Sequence, residues 1–440
     1  MLWLMLWFGL GGSKNDAPMS KVDIWLVRYF TWASVVFSGI YISIYISHSE
    51  NVARGSVCLL AAIAILKCLT VTPSANAFRG RSTVVLTLLL IVALFNILVS
   101  WSMLETALRW VLWFAIIISF TRIAGASNGT WTEVLIRRLP LLFLIIYFTV
   151  LVMAHFTSGA YVGFAYHLSG LYGNLIMATG LFAIKTWQRV FWLLVGLVAI
   201  FFSGAGGALF TIPIMFVPYI LYNTSSMPVK GVAVTGMLIL GALFFLESQL
   251  FTRFLDIKLA TGYDAGNAYN GLDRLDRSKE MRFTLIQFGL DLARQNPLGT
   301  GLGHTYADQI SGVMGVSHVH NGTISMLIEL GLPGFAVVAS LLLWIFWSIL
   351  NNPTIPQQAK AFYFTYFFTV FGRSLSENYT PFDLGNFFNF IFLAFTIYFF
   401  LYQRMPQRGP APNGPMGYRP GYGRPAPGFR APMPRPVGVR

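Results

Sequence analysis

Residues 83–101 read TVVLTLLLIVALFNILVSW, nineteen consecutive positions without a charged side chain. A helix needs a run of roughly 20 apolar residues to cross the hydrocarbon core of a bilayer, and an open chain there must satisfy its own backbone. Working outward, comparable runs recur at 24–46, 54–72, 103–122, 138–155, 171–187, 189–204, 207–222, 230–247, 330–350, 359–377 and 385–402. The composition agrees: 56% of the 440 residues are hydrophobic and 10% are charged. The sequence predicts an all-α polytopic membrane protein of about twelve transmembrane helices, with one large polar loop, 248–320, between the ninth and the tenth.

Lysine and arginine set the orientation, because cytoplasmic loops hold their excess. With the N-terminus inside, Lys67, Arg79 and Arg81 fall in the second connection and Arg122, Arg137 and Arg138 in the fourth. Lys185 and Arg189 fall in the sixth, and Lys230 in the eighth. The loop 248–320 then lies on the outer side, where seven basic side chains balance seven acidic ones. The net charge of +14 is thus mostly cytoplasmic and includes residues 403–440, a Pro/Gly/Arg-rich tail with seven arginines and no acid. Such a tail reads as a disordered segment resting on anionic lipid, and nucleic-acid binding is not assigned to it. Residues 1–23 form a cytoplasmic or interfacial segment whose apolar run, Met1 to Leu10, is too short to span and lacks a basic leader. That run is either interfacial or precedes a start at Met19. Cys58 and Cys68 lie on different faces of the second span and read as small apolar residues, not as a disulfide or metal pair.

Chemistry is expected where the polar loop closes, at His320–Gly334, HNGTISMLIELGLPG. Ile324, Leu327 and Ile328 recur on one helical face and Ser325 and Glu329 on another, predicting a short amphipathic helix at an interface with Asn321 as its N-cap. His320 would then sit at the positive end of the helix dipole, which disfavours imidazolium and leaves a neutral ring able to act as a general base. The plainer reading is a capping or interfacial polar residue. His304 and His318 are near in sequence, but no carboxylate or thiol spacing completes a metal site.

Within the loop, Phe283, Ile286, Leu290 and Ala293 predict a helix over 279–296 with Arg282 one turn in. Asn296–Gly303, NPLGTGLG, predicts a tight turn, since no phosphate-loop lysine follows. In the spans, ionisable residues gather at the outer ends. Glu105 with Arg109, and Arg373 with Glu377, are each four apart and suited to pairing within one helix; Arg54, His155 and Glu247 share that level. They either ring a cavity opening outward or are interfacial side chains with local ion pairs.

His320–Asn321, nine residues, Gly331, two residues, Gly334 resembles the loop-to-helix motif of the O-antigen ligase and O-antigen polymerase superfamily, which includes bacterial protein O-oligosaccharyltransferases. Arg282 followed by Asn296–Gly303 resembles its arginine-bearing helix and glycine turn. Leu168–Asn174, LSGLYGN, resembles the turn that opens its sixth span. The twelve-span layout with its loop is similar too, so the resemblance covers most of 24–402. One departure stands out: where the family often carries an arginine after a serine, Phe202–Gly207 reads FSGAGG.

The resemblance implies a metal-independent glycosyltransferase of the bacterial inner membrane, without a cofactor and with its active site facing the periplasm. It would move a glycan from a polyprenyl-diphosphate carrier onto a sugar, a lipid A-core or a growing polysaccharide. His320 would be the catalytic base, Asn321, Gly331 and Gly334 would support the motif, and Arg282, Arg109, Arg373 and Arg253 would hold the donor diphosphate. Diphosphate is already a good leaving group, so charge neutralisation and a base are what the chemistry asks for. The rival class is a transporter or flippase of lipid-linked sugars, which predicts charges and broken helices near mid-membrane, whereas the ionisable residues here cluster outward.

Overall fold

A computed structural model describes residues 19–47, 50–72, 80–156, 160–203, 206–224, 226–246, 271–303, 306, 307, 309, 310, 319, 321–375, 377, 379 and 386–401. Among them are thirteen helices and no strand. They are α1 Lys21–Ser47, α2 Glu50–Thr70, α3 Arg81–Val99, α4 Met103–Gly125, α5 Thr130–Phe156, α6 Ala160–Gly180 and α7 Thr186–Ser203. The chain continues with α8 Gly206–Asn223, α9 Met227–Leu246, α10 Gly271–Gln295, α11 Gly322–Leu350, α12 Gln357–Ser374 and α13 Phe387–Leu401. Twelve of them overlap the apolar runs, though α6 begins at Ala160 where the run was expected to begin at 171, and α10 is the loop helix. Five, α3, α4, α5, α7 and α11, are long and apolar enough to cross a membrane by length and composition.

The core is aromatic. All of α13 except Phe400 is buried; it packs against α1, α4, α11 and α12. Trp131 of α5 stacks between Phe395 and Phe30, at 5.4 and 5.9 Å.

Leu168–Asn174, expected to be a turn, lies instead inside α6, with all seven residues buried. Its glycines serve packing. A Cβ on Gly173 would come within 2.8 Å of Ile200 Cγ1, and one on Gly196 within 2.8 Å of the Gly173 carbonyl oxygen, so small residues let α6 and α7 approach closely.

The basic residues do more than mark a side. Arg122 donates from Nε and Nη2 to the Val71 carbonyl beyond α2 (3.1 and 2.9 Å). Arg189 Nε donates to the Ala183 carbonyl beyond α6 (2.7 Å), and Lys360 Nζ to the Leu350 carbonyl that ends α11 (2.7 Å). Each cation meets the negative end of a helix and satisfies a carbonyl that has no intrahelical donor.

Candidate active site at the loop-to-helix motif

Asn321 caps α11 as its sequence predicts: Oδ1 accepts from the backbone N–H of Thr323 and Ile324, at 3.0 and 3.1 Å. The helix runs only to Leu330, because Gly331 takes φ 68° and ψ 172°, a conformation open to glycine. The break frees two carbonyls. Pro333 has no N–H to offer Glu329, and Leu332 N donates to the Pro297 carbonyl (2.9 Å) rather than to Ile328.

The Asn296–Gly303 turn fills the gap. Thr300 N donates to the Ile328 carbonyl and Gly301 N to that of Glu329, both at 3.0 Å. The two backbones cross in contact: a Cβ on Gly299 would lie 2.6 Å from Gly331 N, and one on Gly331 would lie 2.5 Å from Gly299 N. Gly299 is the glycine of the turn that the crossing requires.

The corner between α3 and α4 holds the far side of this turn. Trp101 N and Ser100 Oγ donate to the Thr300 carbonyl (2.9 and 3.2 Å). Asn96 Nδ2 donates to the Glu329 carbonyl (2.7 Å). Arg109, one turn further along α4, pairs with Glu105 at 3.0 Å as its spacing predicts. A Cβ on Gly303 would lie 2.8 Å from its Cζ.

The other flank of the motif meets the end of α12. Gly322 N donates to the Glu377 carbonyl (3.0 Å) and Asn321 Nδ2 to the Leu375 carbonyl (3.2 Å). Arg373, in the last turn of α12, is fully buried. Arg373 and Glu377, expected on one helix, are not on one: α12 ends at Ser374, and Glu377, also buried, lies in the segment that follows.

One expected face is corrected. Ser325 and Glu329, read as the polar face of an interfacial helix, are 0% and 3% exposed. Tyr306 OH bonds Ser325 Oγ at 2.8 Å, and α10 lies against this helix, burying Leu285, Leu292, Val319 and Ile328 in one cluster. On α10 the inward stripe is Leu285 and Leu292 with Phe288 and Ala293, while Phe283 and Leu290, whose spacing predicted the helix, are exposed. The helix carries two apolar stripes, and its partner selected one.

Gly334 sits where α11 meets α3, its would-be Cβ 3.5 Å from Val92 Cγ1. Arg282 lies on α10, its side chain outside the described set, and His320, Arg253, Glu247, His304 and His318 lie outside the described residues. The sequence reading missed Asn96, although a lone amide among the apolar residues 88–99 was a usable signal, since a polar group in a span is costly without a partner.

Residues 190–339 match the family model described as O-antigen ligase. The match supports the O-antigen ligase and polymerase superfamily, and so O-antigen-ligase-like glycan transfer in general by a membrane enzyme. It runs from α7 into α11 and includes Arg253, Arg282, the glycine turn and the whole of His320–Gly334. No curated protein and no solved structure matches the chain.

Proposed function

We propose that the protein transfers a glycan from a polyprenyl-diphosphate carrier to an acceptor hydroxyl at the periplasmic face of a bacterial inner membrane. The acceptor is a sugar, a lipid A-core or a growing polysaccharide. Residues 24–402 form the catalytic membrane domain, with about twelve spans and 248–320 as the periplasmic loop; 403–440 is a basic tail lying on anionic lipid.

His320 is the base. It takes the proton of the acceptor hydroxyl as that oxygen bonds the anomeric carbon. The bond from that carbon to the phosphate oxygen breaks, and the diphosphate leaves with the electron pair on its carrier. Arg109, Arg282, Arg373 and Arg253 neutralise the leaving charge, bidentately where the geometry allows. Because the diphosphate departs without protonation, neither a general acid nor a metal is needed in this scheme.

One observation carries the reading: Asn321 and Gly322, next to His320, bond the segment just past Arg373, while the kink that ends the same short helix bonds the glycine turn against which Arg109 packs. A base position and two guanidinium groups thus flank one nine-residue helical stretch. An apolar cavity of about 100 Å3 between α3, α4, α11 and α13, lined by Leu89, Trp113, Val338, Leu341, Phe392 and Ile397, leaves room for hydrocarbon between spans.

The test is His320→Ala assayed on lipid-linked donor, with expression and membrane insertion checked. Transfer should vanish while the protein accumulates normally. Wild-type turnover in that variant would remove His320 from the mechanism, and loss in His318→Ala alone would move the base by two residues.

A further inference from the structure

The Glu329 carbonyl is the last point at which the short helix 322–330 is held before the chain turns at Gly331. Pro333 leaves it without the donor a continuous helix would supply. It accepts from Gly301 N at 3.0 Å and from Asn96 Nδ2 at 2.7 Å. Asn96 is fully buried in α3. Its Oδ1 in turn accepts from Trp110 Nε1 of α4 at 3.1 Å, and because an indole only donates, that contact fixes which end of the amide faces Glu329.

The lever is long. Glu329 and Gly322 are seven residues apart, about 10 Å along a helix, so a tilt of about 6° at the kink moves the N-cap by about 1 Å. Displacements of that size matter in transfer reactions, where about 1 Å of misplacement can cost about 100-fold in rate.

We infer that Asn96, fixed by Trp110, is a positioning residue for glycan transfer: through the Glu329 carbonyl it sets the tilt of helix 322–330 and hence the approach of His320 to the acceptor hydroxyl. This rests on the function proposed above. It predicts that the amide acts on turnover and not on donor binding, because it touches neither the Arg109 pair nor the end of α12.

The experiment uses the full chain in detergent or nanodiscs, with Asn96→Leu, Asn96→Gln and Trp110→Phe compared for kcat and donor KM. Asn96→Leu keeps the branched outline of the side chain and deletes the donor; its kcat should fall about 100-fold with KM within about twofold. Asn96→Gln keeps an amide and should recover about tenfold of that loss, and Trp110→Phe, which removes the indole N–H together with part of the buried ring, should lose about tenfold. A Trp110→Phe enzyme with wild-type kcat overturns the inference even if Asn96→Leu does not fold. So does a loss equal in Leu and Gln that tracks the fall in Tm.

A second readout does not depend on turnover. Nitroxides at Thr323 and Leu98, on a Cys58→Ala/Cys68→Ala background, should give a broadened distance distribution in Asn96→Leu, and an unchanged one overturns the inference. An inactive wild type would sink the proposed function alone, since the spin-label result would still judge the positioning role.

Discussion

Leu350 and Glu329 are both carbonyls of α11 that lack an intrahelical donor, and they are satisfied in opposite ways. Leu350 takes the ammonium of Lys360, a group on a flexible stem reaching from the next helix. Glu329 takes a backbone N–H from the glycine turn and a buried amide held by an indole. The first arrangement tolerates small movements, since a lysine stem can follow a shifting carbonyl. The second does not, because Gly299 and Gly331 touch through their backbones and neither has room for a methyl group. Rigidity is concentrated at the end of α11 that begins with the motif.

Gly331→Ala should have the largest effect. It places a Cβ against Leu298 and Gly299 and forces alanine into positive φ. The cost should be about 3 kcal/mol or more, read as a fall in Tm in detergent together with loss of transfer. Wild-type stability would mean that the crossing is looser than described.

Arg109→Lys comes next. Lysine keeps the charge and the contact with Glu105 but not the guanidinium fork, and a lost charge-assisted contact is worth roughly 1.5–3 kcal/mol. kcat/KM for donor should drop accordingly, and Arg282→Lys should behave alike; a silent change at either position makes that residue ordinary surface. Lys360→Met should have the smallest effect, about 1 kcal/mol of stability from the uncapped Leu350 carbonyl. Its transfer rate at saturating donor should match wild type. A rate loss there as large as that of Gly331→Ala would erase the contrast between the two ends.

The helices were legible because their signal is local: twenty apolar residues state their conformation without reference to a partner. The N-cap at Asn321 was legible for the same reason, as was the pair Glu105 and Arg109. What the sequence concealed depends on what lies opposite. LSGLYGN was expected to be a turn by its resemblance to the family's, and the approach of α7 explains why its Gly173 sits in a helix. Ser325 and Glu329 look solvent-facing, yet both are buried, Ser325 beneath the Tyr306 hydroxyl. Phe283 and Leu290 competed with Leu285 and Leu292 for the inward face of α10, and periodicity cannot choose between two apolar stripes. The role of Asn96 needed the Glu329 carbonyl, which is 233 positions away in the chain.

The burial of α13 has a consequence for assembly in time. This helix leaves the ribosome after the other twelve described helices, yet it fills the space between α1, α4, α11 and α12. Helices made earlier can enter the bilayer one by one, since insertion and packing are separable stages. They cannot close around their aromatic core until Phe387–Leu401 has arrived. Until then, Trp131 lacks the Phe395 face on which it stacks, and Tyr366 lacks the Phe388 carbonyl to which it donates at 2.9 Å. The motif helix therefore waits in a half-built bundle until Phe387–Leu401 has been made, and α11 and α12 acquire that neighbour only when it has been threaded into place.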